Sequence, residues 1–193
     1  LKENTHAIGN YSGSTKNKGL RFTNLRIEKV AVGISVATAV SSDYDDVIID
    51  RNIIGPTIGT DAGWGYGVHV ENATRVTIAD NLIRECTRHS IYLARAAKGS
   101  EIAIRRNLIL NHDAAAKQPR WYCAALTCAR SSGVTIAGNL IVNPRTIAIS
   151  VEPDEFMGWP TENVSLFSNR VLNSRRVGIW VTSGGSCSAL ANA

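Results

Sequence analysis

The fold of this chain is decided by the stretch GVHVENATRVTIADNLI, residues 67–83. It contains two short apolar alternations separated by a turn, and then an Asn followed by two apolar residues. Alternation with period two predicts strands that bury one face, whereas an amphipathic helix would repeat about every 3.6 residues. His69 and Glu71 stand within the first alternation, where they are either solvent-facing strand residues or parts of a functional site.

The second half of this stretch is one copy of a phrase that recurs along the chain. The phrase has the form apolar-x-apolar-x-x-Asn-apolar-apolar, and its copies are VIIDRNII (47–54), VTIADNLI (76–83), IAIRRNLI (102–109), VTIAGNLI (134–141) and VSLFSNRV (164–171). The repeated Asn falls at 52, 81, 107, 139 and 169, and a poorer copy ends in Asn24 and Leu25. We expect this Asn to form a ladder at a turn, because Asn tolerates the left-handed conformation and its amide can bond to equivalent amides in adjacent units.

A second phrase alternates with the first. Its copies are GISVATA (33–39), GVHVENA (67–73), SIYLARA (90–96), CAALTCA (123–129), AISVEPD (148–154) and GIWVTSG (178–184). Two or three strands per unit of about 30 residues predict a solenoid, because a single unit cannot bury its own apolar face. The units, called coils below, would stack with equivalent residues about 4.8 Å apart.

The two phrases together resemble the right-handed parallel β-helix of the pectate-lyase-like superfamily. We therefore predict an all-β, right-handed parallel β-helix of about six coils. It would form one domain over residues 1–193, with coils at about 19–185 and irregular ends. The stretch 1–18 has no convincing capping helix, and the tail after Gly185 is small and bland. Assembly into a homo-oligomer therefore stays open.

The composition is that of a globular chain with an excess of positive charge. Its 193 residues are 44% hydrophobic and 19% charged, with a formal net charge of +5, which permits an acidic partner. The longest apolar run, 30–40, is far shorter than the roughly 20 residues of a membrane-spanning helix. We expect neither membrane nor nucleic acid as partner, and a secreted, periplasmic or cell-surface protein whose leader lies outside the sequence; a cytoplasmic location stays open. Four scattered cysteines indicate neither a disulfide scaffold nor a zinc site.

Aligning the second phrase coil by coil predicts two outward rows of side chains. The second and fourth positions are apolar in every copy, so the third and fifth should face outward. The third position reads Ser35, His69, Tyr92, Ala125, Ser150 and Trp180, and the fifth reads Ala37, Glu71, Ala94, Thr127, Glu152 and Thr182. His69 and Tyr92 are thus expected to be neighbours on adjacent coils.

The lengths of the connecting loops predict a groove beside this pair. Long loops at 55–66 and 111–122 flank a short one at 84–89. The expected floor of the groove is Arg88, His89, Tyr92 and Arg95. The expected walls are Trp64, Tyr66, Lys117, Arg120, Trp121 and Tyr122. Aromatic walls suit the stacking of sugar rings, and guanidinium and ammonium groups suit carboxylates.

The resemblance implies chemistry on acidic sugars. Superfamily members often act on polyuronates by β-elimination or C5 epimerisation, and both reactions remove the proton α to a carboxylate. The segment RHSIYLAR (88–95) also resembles alginate C5-epimerases, in which a His precedes an Arg by six residues, here His89 and Arg95. The Asp-Pro-His-Asp signature of those enzymes is absent, and GVHVENA stands at the comparable place. We expect an enzyme on acidic polysaccharide or oligosaccharide with His69, Tyr92, His89 and Arg95 as catalytic residues.

The sequence leaves a second function open. A non-catalytic β-helix, such as an adhesin, a phage-spike segment or a sugar-binding module, would use Trp64, Trp121, Tyr122 and Trp180 as stacking platforms. We expect no cofactor and no metal. Phosphate loops, nucleophile elbows and zinc-ligand spacings are missing from the sequence, and Glu71 and Glu152 are three coils apart.

Overall fold

A computed structural model describes residues 6–10, 17–37, 44–59, 64–113, 123–153, 160–182, 186–190 and 192–193. The described part contains strands β1–β21. The first ten are β1 (His6–Asn10), β2 (Asn17–Lys18), β3 (Arg21–Thr23), β4 (Arg26–Ile27), β5 (Val32–Val36), β6 (Tyr44–Asp50), β7 (Ile53–Ile54), β8 (Tyr66–Glu71), β9 (Ala73–Ala79) and β10 (Leu82–Arg84). The others are β11 (His89–Ala94), β12 (Ile102–Arg105), β13 (Leu108–Leu110), β14 (Ala124–Ala129), β15 (Ser132–Ala137), β16 (Leu140–Val142), β17 (Ile147–Glu152), β18 (Glu162–Phe167), β19 (Arg170–Leu172), β20 (Val177–Val181) and β21 (Cys187–Leu190).

These strands form three parallel sheets that run the length of a solenoid. The first sheet has the order β1-β5-β8-β11-β14-β17-β20, and the second has β2-β6-β9-β12-β15-β18-β21 with β3 also on β6. The third sheet has the order β4-β7-β10-β13-β16-β19. Each complete coil contributes one strand to every sheet, and each strand pairs with its equivalents in the coils before and after. The predicted all-β parallel β-helix is confirmed.

The core lies between the three sheets and is built of stacked aliphatic rows. One row consists of Ile27, Ile54, Ile83, Ile109 and Ile141, all almost fully buried. Its members pair with one another in register along the third sheet. Burying each such side chain stabilises the fold by roughly 1.5–3 kcal/mol, and the β-branched shape suits the pleated surface.

The predicted Asn ladder is confirmed and longer than expected. The Nδ2 of Asn81 donates to Asn107 Oδ1 at 2.9 Å and to the carbonyl of Ile49 at 2.9 Å. The same pattern links Asn52, Asn107, Asn139 and Asn169, and it ends on Asn192, which the repeat analysis missed.

The repeated Asn was predicted partly because Asn tolerates the left-handed conformation, and that part of the prediction was wrong. The left-handed residue is the one before the ladder position, as at Asp80 with φ 57°. The ladder Asn is instead selected by its hydrogen bonds. Asn24 likewise has φ 56°, and the N–H of Leu25 donates to Asn52 Oδ1, so Leu25 holds the ladder position in that coil.

The coils extend beyond the expected limits of 19–185. Strand β1 pairs with β5 at one end, and β21 pairs with β18 at the other. Strand β21 therefore continues the second sheet into the C-terminal tail, where the sequence analysis expected an irregular end.

One expected register was wrong. Tyr92 pairs with Thr127, and Leu93 pairs with Cys128, so the phrase at 123–129 is shifted by two residues from the sequence alignment. Ala125 belongs to the hydrophobic core and not to the outward row. The outward row is therefore Ser35, His69, Tyr92, Thr127, Ser150 and Trp180. The next outward row contains Glu71, Ala94, Ala129 and Glu152, which confirms that the two Glu are three coils apart.

Candidate functional site

The predicted site residues of β8 and β11 form a cluster of four rings, called the ring cluster below. In the first sheet Tyr66 pairs with His89 and His69 pairs with Tyr92. The Tyr66 ring is stacked with the rings of His69 and His89 at centroid distances of 5.0 and 5.6 Å. Tyr92 is tilted against all three, and its centroid is 5.1 Å from that of His89 and 5.5 Å from that of His69. The sequence therefore correctly placed His69 beside Tyr92.

A glycine allows this arrangement. Gly67 separates Tyr66 from the buried Val68, and a Cβ on it would lie 2.5 Å from the carbonyl oxygen of Ser90 and 2.8 Å from Ile83 Cγ2. Only a residue without a side chain permits such close approach of adjacent coils. Val68 and Val70 fill the core, so His69 projects from the opposite side of the strand.

An ion network holds His69 in one tautomer. Its Nε2 lies 3.1 Å from Glu71 Oε1, and Arg95 Nη1 lies 3.3 Å from Glu71 Oε2. Burial raises the pKa of Glu71, but the hydrogen bond from His69 and the Arg95 guanidinium outweigh it and hold the pKa below its usual value. The ionised carboxylate accepts the Nε2 proton, so Nδ1 remains the basic nitrogen, 3.4 Å from Ser35 Oγ.

Tyr92 is a neutral phenol in this environment. Burial and the nearby Glu71 carboxylate raise its pKa, and Arg130 and Arg88 oppose that shift without reversing it. Tyr66 also has a raised pKa because of burial, although the Arg88 guanidinium lies 5.0 Å from its ring centroid. Tyr92 therefore suits the role of proton donor better than that of base.

His89 lies beneath the exposed face. It is 3% exposed, and its Nδ1 donates to the carbonyl of Ala124 at 2.9 Å, with Thr127 Oγ1 also 2.9 Å away. Burial and the neighbouring His112 and Arg88 lower its pKa well below the usual value. The ring is neutral and fixed, and it supports Tyr92 and Tyr66 from below.

A family model described as a right handed beta helix region matches residues 3–193. The chain belongs to this family of right-handed β-helices. No curated protein and no solved structure matches the chain. The family match confirms the predicted fold and its handedness. It implies no particular activity, because β-helices, like other common folds, host many different sites.

One acyl-transfer arrangement is present in this β-helix protein but lacks access. Ser35, His69 and Glu71 follow the order of a nucleophile, a base and an orienting acid. Ser35 is completely buried, so its hydroxyl cannot reach the carbonyl of an external ester. The Ser35 hydroxyl instead contributes to holding the His69 ring.

The register places Arg130 beside Arg95 at the edge of the site. Ala94 pairs with Ala129, and the N–H of Arg95 donates to the carbonyl of Ala129, so the two arginines occupy equivalent positions on adjacent coils. The Arg130 charge contributes to lowering the pKa of Glu71. Sequence reasoning missed this residue because of the shifted register, although the repeated Ala-Arg at 94–95 and 129–130 was a usable signal.

The other predicted wall residues are only partly accounted for. Trp64 is half-buried just before β8, and Tyr66 lies within the strand rather than in the loop. Lys117, Arg120, Trp121 and Tyr122 lie outside the described residues. Among the described residues, no three His, Cys, Asp or Glu side chains are grouped so as to hold a metal ion. No helix in the described ranges is long and apolar enough to span a membrane.

Proposed function

We propose that this protein is a carbohydrate-active enzyme that removes the C5 proton of a uronate residue in an acidic polysaccharide. The proton removal would lead to β-elimination or to C5 epimerisation. The observation that carries the proposal is the polarised His69, whose Nε2 faces an ionised Glu71 while its ring contacts a neutral Tyr92. A base and an acid side by side on one face of the solenoid fit proton transfer from and to a sugar ring.

The uronate carboxylate must first be neutralised, since its negative charge opposes formation of a carbanion at C5. Arg95 is the best placed group, because one third of its side-chain surface is exposed while it pairs with Glu71. Arg130 lies at the same edge one coil further along. A carboxylate bound between these guanidiniums would receive charge-assisted hydrogen bonds, which are the stronger kind.

The proton transfers then fall to two groups. His69 accepts the proton from C5 at Nδ1, in a step that requires Nδ1 to leave its contact with the buried Ser35 hydroxyl. In β-elimination the C–H electron pair forms the C4–C5 double bond, the C4–O bond breaks, and the Tyr92 phenol protonates the leaving oxygen. In epimerisation the C–H electron pair stays on C5 and the carboxylate until the Tyr92 phenol returns a proton to C5 from the opposite ring face, which requires the sugar ring to part the His69 and Tyr92 rings. His89 positions Tyr92 from beneath in either case.

A binding-only function is the second candidate. Trp180 is 40% exposed and lies in the same outward row as Tyr92, three coils further along and about 14 Å away. Thr127 and Ser150 between them are buried, so Trp180 is the exposed aromatic of this row, and a sugar ring could stack on it without any reaction. This function would show as saturable binding without turnover.

The test is an assay of the protein against a panel of polyuronates, including polygalacturonate, polymannuronate and polyguluronate. β-Elimination produces an unsaturated uronate that absorbs near 235 nm, and epimerisation changes the ratio of the two epimers without that absorbance, at roughly constant chain length. Binding with neither change on any polymer would favour the second candidate and contradict the first.

The variant Tyr92→Phe separates catalysis from binding. Loss of a general acid should lower kcat by roughly 10²–10⁴-fold while KM stays within a few-fold. Tyr44→Phe is the matched control, because Tyr44 is buried in the second sheet away from the ring cluster. Equal activity of Tyr92→Phe and wild type would remove Tyr92 from the reaction.

A further inference from the structure

A polar groove lies at the end of the third sheet, outside the ring cluster. Asn111, Asn143 and Asn173 directly follow β13, β16 and β19, and Arg145 and Arg175 are each two residues beyond an Asn. These five residues line an open cavity of about 630 Å³. We propose that this groove binds the carboxylate or sulfate groups of an acidic glycan, as a second site separate from the reaction centre.

The three asparagines form a second, exposed ladder. Asn143 Nδ2 donates to Asn111 Oδ1 at 3.0 Å, and Asn173 Nδ2 donates to Asn143 Oδ1 at 3.1 Å. A carboxamide nitrogen has two N–H groups, so each rung keeps a second donor, and its oxygen has a second lone pair. Donors and acceptors repeated about every 4.8 Å match the hydroxyl groups of a sugar chain.

Backbone conformation does not by itself explain the choice of Asn. The three residues have φ between 51° and 56°, which is a left-handed conformation that Asn tolerates. Glu85 holds the equivalent position in the preceding coil with φ 51°, and its N–H donates to the carbonyl of Leu110 in the same pattern. Asn therefore occupies this position in the three coils whose residues line the groove, where a carboxylate such as that of Glu85 would repel an anion.

The described residues that line the groove carry positive charge only. They are two guanidiniums and three neutral amides, and Arg145 Nη1 also lies 3.5 Å from the carbonyl oxygen of Asp113. Most arginines of the second and third sheets pair with a nearby acid, as Arg106 does with Asp80. Arg175 is exposed and forms no ion pair with any described residue. An exposed guanidinium that forms no ion pair with a described residue is suited to bidentate binding of an oxyanion.

The groove favours a glycan over a nucleic acid. Single-stranded nucleic acids are bound by aromatic side chains on which the bases stack, and none of the described residues that line the groove is aromatic. Amides and guanidiniums instead supply the hydrogen bonds that hydroxyls and oxyanions need. The site involves none of the groups assigned to proton transfer, so the inference concerns binding alone and does not depend on turnover.

Isothermal titration calorimetry of the intact protein tests the proposal. The probes are oligogalacturonate, a sulfated heparin-derived oligosaccharide, a neutral oligosaccharide of equal length, and single-stranded DNA of matched charge. The double variant Arg145→Gln/Arg175→Gln removes the groove charges. Its control, Arg105→Gln/Arg170→Gln, removes two exposed arginines from outside the groove and changes the net charge equally.

We expect an acidic oligosaccharide to bind wild type, the neutral one to bind much more weakly, and the groove variant to lose roughly tenfold or more in affinity. The control variant should lose no more than about twofold, the contribution of non-specific attraction. Preference for carboxylated or sulfated probes identifies the oxyanion. His69→Ala should retain this binding, so binding in the groove can be tested even if the proposed reaction does not occur.

Three outcomes would overturn the inference. These are no binding of either acidic probe, equal weakening by the groove and control variants, or tighter binding of DNA that the groove variant abolishes. Thermal unfolding of each variant verifies that a lost affinity comes from the groove and not from loss of the fold.

Asn143→Ala supplies a second variant that keeps both arginines, and it should weaken glycan binding while leaving binding of inorganic sulfate nearly unchanged.

Discussion

Glu71 is the residue on which the proposed chemistry of the ring cluster depends. Its carboxylate accepts the Nε2 proton of His69 and pairs with Arg95, so one side chain holds both the proposed base and the proposed cation. Exchanging the carboxylate for an amide would remove the charge and let His69 adopt the other tautomer. The role of Glu71 could not be predicted from the sequence, because a contact two residues along one strand depends on rotamers that no sequence pattern specifies.

Glu71→Gln should lower kcat on a polyuronate by roughly 10²-fold or more, since the basic nitrogen would no longer be held in place. Glu152→Gln is a matched control, because Glu152 occupies the same outward row three coils away. Steady-state kinetics of both variants with the polymer that wild type consumes will measure the difference. A similar loss in both would mean that the acidic row acts through its general charge.

Two buried histidines should make the protein sensitive to mild acid. His112 is completely buried, which lowers its pKa to about 3, and the pKa of buried His89 is also well below normal. The unfolded chain takes up protons at these rings as pH falls below about 6.5, whereas the folded chain does not until its own lower pKa is reached. Stability is therefore present above pH 6.5 and is lost as pH falls.

Each ring should contribute a loss of about 1.4 kcal/mol in unfolding free energy per pH unit below pH 6.5. Urea unfolding at several values between pH 7 and pH 5 will measure the slope. His112→Leu should have a lower slope by roughly that amount, whatever its stability at pH 7. An unchanged slope in this variant would show that His112 is protonated in the folded state.

At the scale of elements, the features that repeat in every coil could be predicted from the sequence. The features that differ in a single coil could not. Period-two alternation and the recurrent Asn gave the strands, the stacking and the neighbours His69 and Tyr92, because every coil must bury the same rows. The copy at 123–129 was misaligned because CAALTCA offers small apolar residues at both parities, so its pattern fits two registers. Strands β1 and β21 were missed because terminal coils need fewer apolar residues.

The inner Asn ladder should be the most sensitive element of the stack. Asn107 donates to Ile78 and Asn139 and accepts from the backbone and side chain of Asn81, all while fully buried. Asn107→Ala leaves those partners unsatisfied and should cost about 3–5 kcal/mol in unfolding free energy. Asn192→Ala, at the partly buried end of the ladder, should cost clearly less. Equal costs in urea unfolding would mean that the ladder does not act through burial.

For the whole molecule, the stacked coils place different chemistry on different faces of one rigid body. The first sheet presents the ring cluster and its ion network, while the third sheet ends in the amide and guanidinium groove. Both faces present guanidinium groups suited to oxyanions, in keeping with the net charge of +5. The proposed ligand of both faces is an acidic glycan, and the proposed reaction concerns only the first.

The most direct test of the central claim is proton NMR of a polyuronate incubated with the protein in D₂O. Removal of the C5 proton, whether it ends in elimination or epimerisation, erases the H5 signal of the reacting residue. We expect wild type to erase this signal on at least one polyuronate, and His69→Ala to leave it intact while remaining folded. A persistent H5 signal on every polyuronate with wild type, or its loss at an equal rate with His69→Ala, would show that His69 does not remove the C5 proton.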